Sequence, residues 1–143
     1  MLNRKKTREI NVGGVKIGGG APIPVQSMLN TPAHDFAGAL ALTERLQKAG
    51  CDIVRLAVPD VESAQAFSAL RAGGITLPLV ADIHFDYTLA LAALKAGASK
   101  IRINPGNIGG EDRVKAVVDV CKDKSIPIRI GVNGGSLDKR LLE

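Results

Sequence analysis

Five short apolar runs recur along the chain at nearly constant spacing, and this periodicity limits the fold more than any other feature. They span residues 23–29, 52–58, 77–84, 100–104 and 126–133. Their centres, Val25, Ile53, Val80, Ile101 and Ile128, are 28, 27, 21 and 27 residues apart. Helical patterns fill the gaps at about 35–49, 60–72, 87–96 and 111–124. Asp35 and Asp60 are suited to cap two of these helices, and Gly50, Gly73 and Gly97 fall where helices should stop. One strand plus one crossover helix needs about this much chain, so the pattern predicts a parallel α/β sheet. A β-hairpin is expected ahead of it, over 8–12 and 15–17, turned at Gly13-Gly14.

An open doubly wound sheet usually carries a phosphate-binding GxGxxG after its first strand. None follows 23–29, and Gly18-Gly19-Gly20 precedes that run with the wrong spacing. The strand faces favour a barrel. Val54, Leu56 and Val58 alternate with Ile53, Arg55 and Ala57; Ile101 and Ile103 alternate with Lys100, Arg102 and Asn104. Leu77, Leu79, Ala81 and Ile83 stand against Val80, Asp82 and His84. Ile126, Ile128, Ile130 and Val132 stand against Arg129, Gly131 and Asn133, and Val25, Ser27 and Leu29 against Gln26 and Met28. A sheet covered by helices on both sides would be apolar on both faces. One aliphatic and one polar face suit a (β/α) barrel, with the polar face turned inward.

A complete eight-unit barrel takes about 250 residues, against 143 here. The expectation is therefore a partial TIM-type (β/α) barrel, with five strands and four complete crossover helices after the hairpin. Residues 1–143 would form the truncated N-terminal part of a (β/α)8 barrel, ending inside a fifth helix opened by Ser136. Its raw strand edges would favour pairing with another copy, so a homo-oligomer is expected.

The net charge of +5 owes much to Arg4, Lys5, Lys6 and Arg8, which read as a solvated tail. Only Phe36, Phe67, Phe85 and Tyr87 are aromatic, and no Lys/Arg run accompanies them, which argues against nucleic acid. The basic start leads into Glu9-Ile10-Asn11 and not into a signal-like apolar run. No stretch approaches the roughly 20 apolar residues of a membrane span. Cys51 and Cys121, 70 positions apart with no CxxC, read as small core residues of a cytoplasmic protein.

Three cations share the inferred inner face: Arg55, Arg102 and Arg129. One Arg in a strand is ordinarily an edge residue or an ion-pair partner. Three with only Asp82 to neutralise them are costly unless an anion arrives, and guanidinium binds phosphate bidentately. The pattern thus predicts a polyanionic ligand, most simply a diphosphate. The loop Asn104-Pro105-Gly106-Asn107-Ile108-Gly109-Gly110 could offer backbone N–H groups and a helix N-terminus to it. Asp82 and His84, two apart, either line the ligand pocket or close a buried hydrogen-bond network. Asn133, followed by Gly134-Gly135, is a further strand-end amide, and His34 reads as solvated.

Several runs resemble a known family: Val25-Gln26-Ser27-Met28, Asp52-Ile53-Val54-Arg55, Leu79 through Tyr87, Arg102 through Gly109, and Pro127 through Asn133. They are similar, in order, to the 4-hydroxy-3-methylbut-2-en-1-yl diphosphate synthases, from about Thr7 to Glu143. The resemblance implies a TIM-type barrel joined to a C-terminal domain that carries a [4Fe-4S] cluster. It implies an oxidoreductase of isoprenoid biosynthesis on the methylerythritol phosphate pathway. Such an enzyme reductively opens and dehydrates 2-C-methyl-D-erythritol 2,4-cyclodiphosphate, with ferredoxin or flavodoxin as donor. By resemblance Arg55, Arg102 and Arg129 bind the diphosphate, Asn104 and Asn133 assist, and Asp82 and His84 line the substrate pocket. Leu29 stands where the family usually has Thr, so a hydroxyl contact there is not carried over.

The cluster ligands find no counterpart in Cys51 or Cys121, so no metal or cofactor is expected on this chain, and the chain alone is expected to be inactive. Two alternatives remain: a non-catalytic diphosphate-binding or assembly module, and a dihydropteroate-synthase-like barrel enzyme.

Overall fold

The computed structural model describes residues 5–133 and 135. An antiparallel hairpin, β1 (Ile10–Val12) and β2 (Val15–Ile17), leads into β3 (Gln26–Met28), α1 (Phe36–Lys48), β4 (Ile53–Ala57), α2 (Val61–Ala72), β5 (Leu79–Asp82) and α3 (Tyr87–Lys95). Then follow β6 (Lys100–Ile103), the single turn α4 (Pro105–Ile108), α5 (Glu111–Asp123) and β7 (Ile128–Ile130). Strands β3 to β7 form one parallel sheet in chain order. A doubly wound sheet would reverse its strand order at a switch point. Monotonic order with right-handed crossovers puts all helices on one side of a curving sheet. Accordingly α1 packs on α2, α2 on α3 and α3 on α5. The result is a five-stranded arc of a (β/α) barrel that is not closed.

The alternation explains the packing. Val54, Leu56, Val58, Leu79, Ala81, Ile83, Ile101 and Ile103 are all buried on the helix side, joined by Phe67, Leu70, Ala90 and Leu94 from α2 and α3. Each buried branched side chain of this size contributes about 1.5–3 kcal/mol of transfer free energy. Asp35, Asp60 and Asp86 cap α1, α2 and α3, their carboxylates accepting from the N–H groups of Gly38, Ser63 and Thr88.

The strands are shorter than the apolar runs that signalled them. Pro24, Pro78 and Pro127 lie just ahead of β3, β5 and β7, and a residue without an N–H cannot extend the ladder. The helices end much as expected, with one shift. Gly73 stays at a right-handed φ of −75°, and Gly74, at +88°, makes the left-handed step. The helix expected from Ser136, the tail residue Arg4 and Gly134 lie outside the described residues.

The hairpin seals the N-terminal end of the arc from inside. Val12, fully buried, packs against Ile53 and Val80 of the inner face, flanked by Ile10, Val15 and Ile17. Gly13 and Gly14 both take positive φ, as the turn requires. A Cβ on Gly13 would also come within 3.0 Å of Ser99 Oγ and 3.1 Å of Pro78 Cβ. No helix among the described residues is long and apolar enough to cross a membrane.

Candidate anion-binding site

Parallel pairing arranges the inner face in two registered rows. Ala57, Asp82, Arg102 and Arg129 are successive partners across β4, β5, β6 and β7. Met28, Arg55, Val80 and Lys100 make the row on the N-terminal side of it. Arg102 and Arg129 therefore stand side by side, as the strand alternation implied. Arg55 does not share their register. It starts one row back, opposite Val80, and its side chain reaches along the strand to the carboxylate of Asp82.

Asp82 is the hub. Its side chain is 1% exposed and accepts from two guanidinium groups through different oxygens. Arg55 Nη2 lies 2.5 Å from Oδ2, and Arg102 Nη1 lies 3.3 Å from Oδ1. His84 Nε2 approaches Oδ2 to 3.5 Å from a half-exposed ring. Asp82 and His84 are thus brought together, as their spacing implied. Arg55 keeps one buried donor, Nε, without a partner among the described residues. Arg129 is exposed and forms no ion pair among the described residues. One carboxylate serves several cations, and such an excess is relieved by an incoming anion.

The loop after β6 meets the expectation only in part, because the backbone amides of Gly106, Asn107 and Ile108 are already engaged. Asn104, buried, caps α4: its Oδ1 accepts from the Gly106 N–H at 3.1 Å, and its backbone carbonyl accepts from the Asn107 and Ile108 N–H groups. The next helix, α5, starts at Gly110 with Glu111 and Asp112 in its first turn. Carboxylates there already occupy the favourable end of the dipole. A local helical turn thus takes three of the donors expected to cradle an anion, the N–H groups of Gly106, Asn107 and Ile108. Asn133 lies exposed beyond β7, and His34 is exposed on the loop before α1.

Two residues of the face escaped selection from the sequence. Lys100 is 7% exposed, an unusual burial for an ammonium, and belongs to the same face as Arg55 and Arg102. Burial pushes its pKa down, and Arg129 and Arg55 push it further the same way. Its position two residues before Arg102 on an alternating strand was the available signal. Gly131 is the second: a Cβ there would meet the guanidinium of Arg102. No sequence signal identifies it, because the contact forms only between strands.

A 540 Å³ cleft lined by Lys5, Lys6, Thr7 and residues 17–24 lies near the start of β3 and contains none of the inner-face cations. A smaller one, of 150 Å³, sits at the mouth between Val58, Pro59, His84, Phe85, Asp86 and Leu89.

An iron–sulfur cluster does not fit the side chains present. Cys51 and Cys121 are both buried and free. The Cys51 thiol donates to the Ile53 carbonyl at 3.1 Å. Burial pushes the Cys121 thiol up to about 11, which keeps it from the thiolate form that binds metal. Among the described residues no group of three His, Cys, Asp or Glu could hold an ion.

Comparison with known proteins matches the chain to a family. The chain is 60% identical over 142 residues to the 4-hydroxy-3-methylbut-2-en-1-yl diphosphate synthase (flavodoxin) of Maridesulfovibrio salexigens, covering 99% of this chain and 39% of that protein. It is 56% identical over 140 residues to the synthase of the same name from Hahella chejuensis, covering 98% of this chain and 38% of that one. The chain thus spans under two-fifths of the curated relatives it matches. Among solved structures, dihydropteroate synthase from Xanthomonas albilineans superposes with a TM-score of 0.65 over 91% of this chain and 53% of that one, at 20% identity. That likeness shows the barrel fold alone, so a dihydropteroate-synthase-like activity is not favoured. A family model described as the GcpE TIM-barrel domain matches residues 7–143, and through these residues the chain belongs to the GcpE family.

Proposed function

We propose that this chain is the substrate-binding part of a 4-hydroxy-3-methylbut-2-en-1-yl diphosphate synthase and supplies the first five strands of its barrel. The observation that carries the reading is the registered pair Arg102 and Arg129, beside a carboxylate already shared with Arg55. The ligand it suits is 2-C-methyl-D-erythritol 2,4-cyclodiphosphate. Arg129 and the remaining donors of Arg102 hold phosphate oxygens, and Arg55 keeps Asp82 in place. Asp82 and His84 meet the carbon skeleton and its hydroxyl groups, with Asn133 at the rim. Asn104 acts through backbone order, by shaping the turn that follows β6.

Opening the ring and expelling water needs two electrons. The relatives' names support flavodoxin as the donor rather than ferredoxin. The [4Fe-4S] cluster implied by family resemblance would deliver those electrons from ligands elsewhere in the full-length enzyme, since no ligand set for it stands among the described residues. We place the protein in the cytoplasm, in keeping with its two free cysteines. The open edges at β3 and β7 suit a homo-oligomer or pairing with further strands of the same barrel. A purely structural, non-catalytic module is not favoured, given relatives that are named as enzymes along the whole of this chain.

The test is turnover. Flavodoxin-dependent conversion of the cyclic diphosphate to the linear product is expected from the longest natural form carrying these residues. It should fall at least about tenfold on Arg129→Ala, the scale of a lost charged hydrogen bond. Undiminished turnover in that variant would remove the reading.

A further inference from the structure

Beside the exposed Arg129, the inner face holds a second cation that its ion pairs do not account for, and this one is buried. Lys100 is 7% exposed, and no hydrogen bond or ion pair of its ammonium is present among the described residues. A buried ammonium normally has a partner. Asp82, the carboxylate of this face, is taken on one oxygen by Arg55 and on the other by Arg102. Lys100 is Val80's partner on β6, Arg55 is Val80's partner on β4, and Arg102 and Arg129 form the adjacent row. Arg55, Lys100, Arg102 and Arg129 thus stand on a face with one buried carboxylate, four cations against a single negative charge.

We propose that Lys100 is a fourth cation of the anion site, taking the bound polyanion as its counter-ion from the row behind Asp82. This rests on the reading of the face as an anion site and adds to it a specific residue and a charge requirement: the ligand must be multiply charged and reach past Asp82.

The charged groups that act on Lys100 are Arg129 from β7 and Arg55 from β4, while Asp82 and Arg102 stand in the adjacent row with His84 beyond them on the same face. β3 contributes Gln26 and Met28, and the hairpin contributes Val12, none of which titrates. Burial first, then repulsion by Arg129 and Arg55, holds the free-state pKa of Lys100 below its ordinary 10.5. An anion opposes those effects and raises it. Anion affinity is therefore full below the free-state pKa. As pH climbs through that value, binding has to take up a proton, and affinity falls by up to about tenfold per pH unit.

Trimetaphosphate tests this, being a cyclic trianion whose charge does not change through the neutral and alkaline range. Its binding would be titrated calorimetrically, from neutral to alkaline pH and in buffers of different ionisation enthalpy, to the longest natural form carrying these residues. The parent, Lys100→Met, Lys100→Arg and Arg129→Ala would be compared, with circular dichroism to confirm folding. Lys100→Met should bind at least about tenfold more weakly and take up no proton. Lys100→Arg should restore neutral-pH affinity while flattening the alkaline fall, because guanidinium does not titrate there. Lys100→Met binding with parental affinity and parental proton uptake, while Arg129→Ala weakens binding, would overturn the role of Lys100 alone. A parent that does not bind, or that binds as well after Arg129→Ala, would overturn the anion site itself.

Discussion

Gly131 and the guanidinium of Arg102 occupy adjoining space: a Cβ on Gly131 would lie 2.6 Å from Arg102 Nε and 2.7 Å from Nη2. Gly131 does not have a positive φ, so the backbone itself would tolerate a side chain. The neighbour that must yield is the end of a flexible side chain, and it is the one placed to grip the anion. Gly131→Ala should therefore leave thermal unfolding within a few degrees of the parent. Trimetaphosphate affinity should fall toward the level of Arg102→Ala. Equal affinity in parent and Gly131→Ala would show that the position of Arg102 is not set by this contact.

Asp82→Asn should be the most destabilising change on the inner face. It leaves Arg55 and Arg102 facing each other and Lys100 without the buried carboxylate between them. Removing one partner of a buried pair costs about 3–5 kcal/mol, and partial hydration of the two guanidinium groups lowers that to about 2–3 kcal/mol here. Urea titration with and without pyrophosphate checks this. The anion should stabilise Asp82→Asn more than it stabilises the parent, because it replaces the missing negative charge.

Both thiols should resist modification in the native state. Cys121, whose pKa burial pushes up to about 11, remains protonated at neutral pH, and Cys51 is equally buried. An Ellman titration at neutral pH should find neither thiol reactive until denaturant is added. Rapid reaction of either one would contradict the packing of β4 or α5.

The helix caps impose an acid limit. The hydrogen bond from the Ser63 backbone N–H holds Asp60 below its ordinary 3.8, and those from the Thr88 side chain and backbone do the same for Asp86. Each folded pKa is depressed, so the stability contributed is complete above 3.8 and disappears as pH falls through the lowered values. Asp60→Asn with Asp86→Asn keeps cap acceptors without the titration. Acid unfolding of that double variant should be shallower below pH 3.8 than that of the parent.

The layout of the fold was legible because it rests on local periodicities. Val54, Leu56 and Val58 declare the helix side of their strand, and an approximately 27-residue spacing leaves room for one crossover helix. The alternation also put Arg55, Asp82, Arg102 and Arg129 on one face. What it could not supply was register. Arg55 belongs one row behind Arg102, a displacement set by parallel pairing through Val80 and invisible in the spacing of any single strand. Lys100 was overlooked because lysine is usually solvated, and its burial arises only once β6 pairs with β5 through Val80. The loop after β6 was legible only in part for a local reason: Asn104 caps a helical turn there, which engages the amide of Gly106. Gly131 gains its meaning only from a neighbour 29 residues earlier in the chain.

The most direct measurement is calorimetric titration of the protein with 2-C-methyl-D-erythritol 2,4-cyclodiphosphate at low and high salt, with and without Arg102→Ala. Binding should weaken as salt screens the partly exposed cations. It should fall by about ten- to a hundredfold in Arg102→Ala, the range for hydrogen bonds to a charged group. Binding that is insensitive to salt and unchanged by Arg102→Ala would contradict the assignment of the inner face as the site that holds the diphosphate.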